Sequence, residues 1–276
     1  VPEASSEVSF IEIGPKREVI AASPDVLASV PRPPRPAPPA ATPGLQGPHI
    51  QFRSLQPLAR PSQATLRPTL APELTAFHAP ESPEAARYLE LFTAVRDSAA
   101  ARAVLDHLIL MFSGLRTGAG TTTLALNLAI SAARQAKRVL VVDANLRRPG
   151  AAAKLGLDRA PGLSEVLAAD CSLEAALRPT AQDRLMVLTS GEPLSVLADA
   201  RTVQDLFCTL REQFDLVFVD GPIWDGKSTV NAFASASDAV YLVFPTAEAD
   251  SPEATTLVRE LPRQGARLRG TILTAF

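Results

Sequence analysis

Apolar residues fall into two regimes along this chain. From residue 107 onward, short runs of Val, Leu, Ile and Phe recur: HLILMFS, RVLVVD, RLMVLTS, DLVFVD, AVYLVF and GTILTAF. Each run is nearly continuous rather than alternating, which is the pattern of a strand covered on both faces, as in a parallel sheet. Between the runs lie stretches such as TTTLALNLAISAARQA and TVQDLFCTLREQF, which read as helices. This alternation predicts an α/β fold of three layers, a mostly parallel sheet with helices on both faces. Right-handed crossovers then gather the loops at the carboxyl ends of the strands along one edge.

Upstream the pattern changes. SPEAARYLELFTAVRDSAAARAVL predicts a leading helix that packs on the following domain, with Ser82 as N-cap, Pro83 at the first helical position and Glu84 favoured by the dipole. Leu89, Phe92, Val95 and Ala99 repeat at helical spacing along it. Before it, proline dominates: of 25 prolines, 17 precede residue 84. The stretch PRPPRPAPPAATPGLQGP (Pro31 to Pro48) sustains neither a helix nor an inner strand, and is expected to be extended and mobile. EVSFIEIG (Glu7 to Gly14) has the alternation of a short strand, and SPDVLASV (Ser23 to Val30) suits one or two helical turns. Neither builds a core alone. The expected organisation is a proline-rich, largely disordered tail or linker over 1–81, its head a candidate docking peptide, and a folded domain over 82–276.

Composition excludes more than it points to. Apolar residues make up 46% of the chain, enough for a core, and the net charge of −2 gives no whole-chain case for nucleic acid or an anionic membrane. No apolar stretch reaches transmembrane length. Cys171 and Cys208 lack metal-ligand spacing and read as small buried hydrophobes in a reducing compartment. His49, His78 and His107 are scattered and suggest neither a metal site nor a triad.

The candidate chemistry begins at SGLRTGAGTTT, Ser113 to Thr123, between the first strong strand and a helix. Strand, glycine-rich loop, helix is the context of a phosphate-binding loop. Gly118, Ala119 and Gly120 let backbone N–H groups turn toward an anion at a helix N-terminus, with Thr121, Thr122 and Thr123 behind them. Thr122 stands where such a loop holds Mg²⁺ through a hydroxyl. Two departures are plain: Leu115 occupies the position of the first glycine, and Thr121 that of the lysine. Two other strands end in acids, Asp143 in VLVVDANLRRP and Asp220 in DLVFVDGP. In a parallel sheet both project to the edge that carries the glycine loop, where an acid positions Mg²⁺ or its waters.

Taken together, SGLRTGAGTTTLALNLA, VLVVDANLRRP, PGLSEVLAAD, LMVLTSGEP and FDLVFVDGP resemble, in that order, bacterial tyrosine kinases of the capsule and exopolysaccharide type, a group within the MinD/ParA-like P-loop ATPases. The resemblance covers roughly residues 83–276. It implies a P-loop NTPase fold and ATP or ADP with Mg²⁺ as cofactors. It also implies a metal site of Thr122, Asp143 and Asp220, with Asp143 as the catalytic carboxylate. Carried over by position, the lysine is Thr121 and the second acid of the family's D-x-D is Asn145, which hydrogen-bonds but does not accept a proton at neutral pH. A second proline expected after Pro222 is Ile223, and the family's Glu/Arg self-association motif is not evident in the leading helix. The family's tyrosine-rich C-terminal tail does not follow within these residues, whose tyrosines are Tyr88 and Tyr241, the latter in a strand expected to be buried; no autophosphorylation is therefore expected.

Arg116 stands where MinD/ParA-like proteins carry a second lysine, and is a candidate phosphate ligand alongside Arg147, Arg148 and Lys227. The leading expectation is a cytoplasmic kinase homologue that binds nucleotide, with impaired or no kinase activity. It would be recruited to the inner face of the membrane by a membrane-anchored polysaccharide co-polymerase or adaptor. A homo-oligomer is compatible with this reading, and no nucleic acid is expected. The alternatives are an active tyrosine kinase in which Arg116 replaces the lysine, a partition-type ATPase that binds DNA or membrane, and a structural relic of a P-loop protein.

Overall fold

A computed structural model describes residues 10–13, 70–100, 107–135, 137–193, 199–224 and 228–274. The proline-rich run at 31–48, the segment at 23–30 and Lys227 lie outside the described residues. All six apolar runs form strands: β2 (Leu108–Gly114), β3 (Val139–Asp143), β5 (Leu185–Leu188), β6 (Leu216–Asp220), β7 (Ala239–Pro245) and β8 (Leu268–Thr274). Two short strands join them, β1 (Phe10–Ile13) and β4 (Leu177–Pro179), in an eight-stranded sheet of order β1-β8-β7-β2-β6-β3-β5-β4. Every pairing is parallel except that of β4 on β5. The mostly parallel α/β sandwich expected from the runs is the observed fold.

Alternation along β2 shows the three layers directly. Leu108, Leu110 and Phe112 join one apolar cluster, with residues of α2 (Pro83–Ala100) and α3 (Thr121–Arg134). Ile109 and Met111 join the other, with α7 (Ala200–Gln213), α8 (Ser228–Ala236) and α9 (Pro252–Arg263). Because both faces are covered, a polar position inside these strands has no route to water, which explains their unbroken hydrophobicity. Tyr241 meets this constraint by donating its hydroxyl to the Val95 carbonyl at 2.8 Å; burial pushes its pKa up to about 12.

The leading helix begins as its cap predicts, with Ala85 N donating to Ser82 Oγ at 3.1 Å. Its packing face is rotated from expectation: Leu91, Phe92, Val95 and Ala99 are buried, whereas Leu89 is 40% exposed. At about 100° per residue, a stripe centred on Val95 and Ala99 takes in Tyr88 and Leu91 and leaves Leu89 at its margin. Cys208 also departs from expectation; it lies exposed on α7, and Cys171 is partly buried.

Ordered packing extends upstream of Ser82. Leu70, Leu74 and Ala76 are buried in the α2/α3 cluster, around the single helical turn α1 (Thr75–His78). Buried Asn127 on α3 fastens this segment, accepting from Ala76 N at 3.0 Å and donating to the Glu73 carbonyl at 3.1 Å. At the opposite edge, β1 adds a parallel strand to β8, pairing Phe10 with Thr271 through Ile13 with Thr274.

Candidate nucleotide site

The strands β2, β3 and β6 are neighbours, so the loops that leave their carboxyl ends meet. The register is tight: Asp143 pairs with Asp220, and Phe112 with Asp220. The connection from β2 to α3 is the glycine loop. Gly118 and Gly120 adopt left-handed backbone angles, φ 83° and 84°, and Gly120 is the residue before the first turn of α3. A side chain is strained at such angles, so these glycines permit the turn that joins β2 to α3. The first glycine, which spacing placed at 115, is supplied one position earlier. A Cβ on Gly114 would lie 2.8 Å from Thr121 Oγ1 and 3.3 Å from the Arg116 carbonyl oxygen, so a larger residue there would have to displace the threonine side chain and crowd the loop. The loop is held from β8 as well, Thr274 Oγ1 donating to the Ala119 carbonyl at 3.0 Å.

The two carboxylates sit side by side but are used differently. Asp220 accepts a hydrogen bond from Thr122 Oγ1 at 2.6 Å, which ties the end of β6 to the first turn of α3. Its other oxygen, Oδ1, is buried without a hydrogen-bond partner. Burial, and then the neighbouring Asp143 charge, raise its pKa well above the usual carboxylate range. Asp143 faces its own loop instead. Its oxygens accept from Asn145 N at 3.2 Å, Gly150 N at 3.1 Å and Ala151 N at 3.0 Å. Burial pushes its pKa up to about 6, against the pull of those amides. Asp143 thus folds the segment 144–151 back over the site, close enough that a Cβ on Gly150 would lie 3.2 Å from Thr122 Oγ1.

Between these loops opens a cavity of about 350 Å³. The whole stretch Arg116–Thr123 lines it, with Gly114, Asn145, Arg148, Lys154, Gly221 and Ile223. Three cations and no carboxylate are on that lining. Arg116, the candidate replacement for the lysine, is half-exposed at the rim and ion-paired with Glu248. Lys154, on α4 (Ala151–Leu155), is ion-paired with Glu73, whose carboxyl it holds below its usual range. Arg148 reaches across and donates from Nη1 to Thr117 Oγ1 at 2.9 Å. Lys154 and Gly114 were not legible as site residues. Gly114 sits one place off the motif, and Lys154 lies in an alanine-rich turn whose position depends on the path that Asp143 imposes.

The residues present fit a metal-bound polyphosphate. The Thr122 hydroxyl donates its hydrogen bond to Asp220 and keeps lone pairs for a cation, and the unpartnered Asp220 Oδ1 lies on the same carboxyl group. Among the described residues no group of three His, Cys, Asp or Glu side chains makes a self-sufficient metal site. That is as expected where phosphate and water complete the coordination.

Known proteins resemble this chain in sequence and in fold. A family model described as an AAA domain matches residues 108–252, more than half of the chain. The putative tyrosine-protein kinase EpsB of Ralstonia nicotianae is 28% identical over 172 residues, 61% of this chain and 23% of its own length. The tyrosine-protein kinase YwqD of Bacillus subtilis is 28% identical over 167 residues, 59% of this chain and 70% of its own. The kinase domain of the Escherichia coli tyrosine kinase ETK superposes with a TM-score of 0.68 at 23% identity, covering 78% of this chain and 84% of that domain.

Proposed function

This chain belongs to the AAA-domain family, and on that premise we propose that it binds ATP or ADP with Mg²⁺ in the cavity beside Gly114–Thr123 and transfers phosphate slowly or not at all. The observation that carries this reading is the Thr122–Asp220 pair, with its unpartnered buried oxygen, beneath a loop whose lysine position is Thr121. Backbone amides of Gly118 and of residues 120–122 would hold the phosphates, and Thr122 and Asp220 the metal. Bound there, Mg²⁺ would neutralise charge between adjacent phosphates. Phosphoryl transfer depends chiefly on positioning and on charge at the phosphates, and losing one such contact costs about 10²–10³ in rate. Asn145 in place of a second carboxylate removes a proton acceptor for the attacking hydroxyl. Asp143, committed to three amides of its own loop, shapes the site from beneath.

In this reading the protein acts through binding, as a homologue of exopolysaccharide-type tyrosine kinases that regulates polysaccharide assembly beside a membrane-anchored co-polymerase or adaptor. No helix among the described residues is long and apolar enough to cross a membrane.

Calorimetry of the full chain with ADP and ATP, with and without Mg²⁺, tests the first claim. Binding strengthened by Mg²⁺ is expected, with a severalfold further gain in Thr121→Lys. Absence of binding in both proteins would leave a structural relic. Labelled ATP tests the second claim, and transfer to protein tyrosine at the rate of an intact kinase would overturn it.

A further inference from the structure

Three cations line the cavity, and their partners differ. Arg116 is ion-paired with Glu248 and Lys154 with Glu73, so the charge of each is balanced by a carboxylate within the fold. Arg148 faces a neutral oxygen, Thr117 Oγ1, at 2.9 Å. Among the described residues no carboxylate pairs with it. A guanidinium carries five N–H donors in a planar fork, and this contact uses one of them. The cation is also held in place. Its backbone N donates to Asn145 Oδ1 at 3.3 Å, inside the loop that Asp143 fixes through Gly150 N and Ala151 N. The result is a positioned positive charge against the loop that lacks its lysine, in an opening whose lining has no acid.

We propose that Arg148, reaching in from the loop after β3, is the cation that grips the terminal phosphates of the nucleotide in place of the lysine absent at Thr121. The inference rests on the nucleotide-binding reading above and adds to it the residue that discriminates by phosphate number. It takes a nucleoside di- or triphosphate and neglects a monophosphate, because an arginine anchored at Thr117 meets the end of the phosphate chain rather than the nucleoside. It also separates the two candidate arginines: Arg116 serves the fold through Glu248, and Arg148 serves the ligand.

Affinities of the full chain for ADP, AMP and Mg²⁺-ADP, measured by calorimetry, test this in wild type, Arg148→Ala, Arg116→Ala and Arg148→Ala/Thr121→Lys. Arg148→Ala is expected to weaken ADP at least tenfold and AMP less than twofold, and Arg116→Ala to weaken ADP less than threefold. Restoring a lysine at 121 should recover at least tenfold in the Arg148→Ala background, a larger gain than in wild type, because the two cations do the same work. Equal losses for ADP and AMP would mean a structural role and overturn the proposal, as would unchanged ADP affinity in Arg148→Ala or a dominant loss in Arg116→Ala. Should wild type bind no ADP, the nucleotide reading itself fails and this inference with it; ADP binding that ignores Arg148 sinks the inference alone.

Discussion

Asp143 and Asp220 end neighbouring strands, face each other in register, and are both fully buried. By position they are near-equivalents, yet their partners divide them. Asp143 has three backbone amides and shapes a loop; Asp220 has one hydroxyl and an oxygen left without a partner. A carboxylate satisfied by the protein is part of the architecture, whereas one left short in a buried site stands ready for a ligand. A strand-end acid read from sequence announces neither role.

The sharpest way to break this distinction is to delete each carboxylate. Asp143→Ala leaves three amides of the 144–151 loop without an acceptor and should cost about 2–4 kcal/mol in denaturant-unfolding experiments. Asp220→Ala removes a buried carboxyl group and frees one threonine hydroxyl, and should stay within about 1 kcal/mol of wild type while abolishing any gain in nucleotide affinity from Mg²⁺. Equal destabilisation by the two substitutions would erase the difference in role.

A second, smaller effect separates them by pH. Burial raises the Asp143 pKa to about 6 in the folded state, against about 4 in an unfolded chain. The folded protein therefore holds this proton more tightly than the unfolded one. The stability so gained is fully present below about pH 4 and is lost as pH rises through about 6, on the order of 2–3 kcal/mol. Groups shifted the other way, such as Asp215 beside Arg138, act at the acid end of the range, so the informative quantity is the difference between variants. Asp143→Asn retains an amide oxygen for Gly150 and Ala151, and its unfolding free energy should decline less than that of wild type between about pH 4.5 and about 6.5, the remainder coming from Asp220, whose pKa burial also raises. Parallel pH profiles for wild type and Asp143→Asn would show that Asp143 does not titrate there.

How much of this was legible beforehand follows from how local each signal is. The six main strands announced themselves because burial on both faces leaves an unbroken apolar run. β4 did not, because three residues ending in a proline carry no such run and its antiparallel edge pairing is set by β5. The segment from Leu70 was assigned to the tail because proline surrounds it, and its anchor, Asn127, is an unremarkable polar residue in an apolar helix until its partners 51 and 54 positions away are known. At the site, the glycines, the threonines and both aspartates are contiguous motifs. Which cation has an acid beside it is decided by side chains far apart in the sequence; the resemblance pointed to Arg116, which lines the cavity and is also ion-paired with Glu248.

The smallest effect probes the contact on which the metal reading rests. Thr122→Val keeps the shape of the side chain and removes the hydroxyl that donates to Asp220 Oδ2. Asp220 then has no hydrogen-bond partner on either oxygen, and protonation at its raised pKa relieves part of the penalty. A loss of about 1 kcal/mol in stability is expected, well short of Asp143→Ala. The functional consequence is sharper than the structural one. Valine has no lone pair to offer a cation, so Mg²⁺ should no longer strengthen ADP binding, while ADP alone, held by loop amides and Arg148, keeps most of its affinity. If Mg²⁺ strengthens binding to Thr122→Val as it does to wild type, the hydroxyl is a structural tie between α3 and β6 rather than a metal ligand.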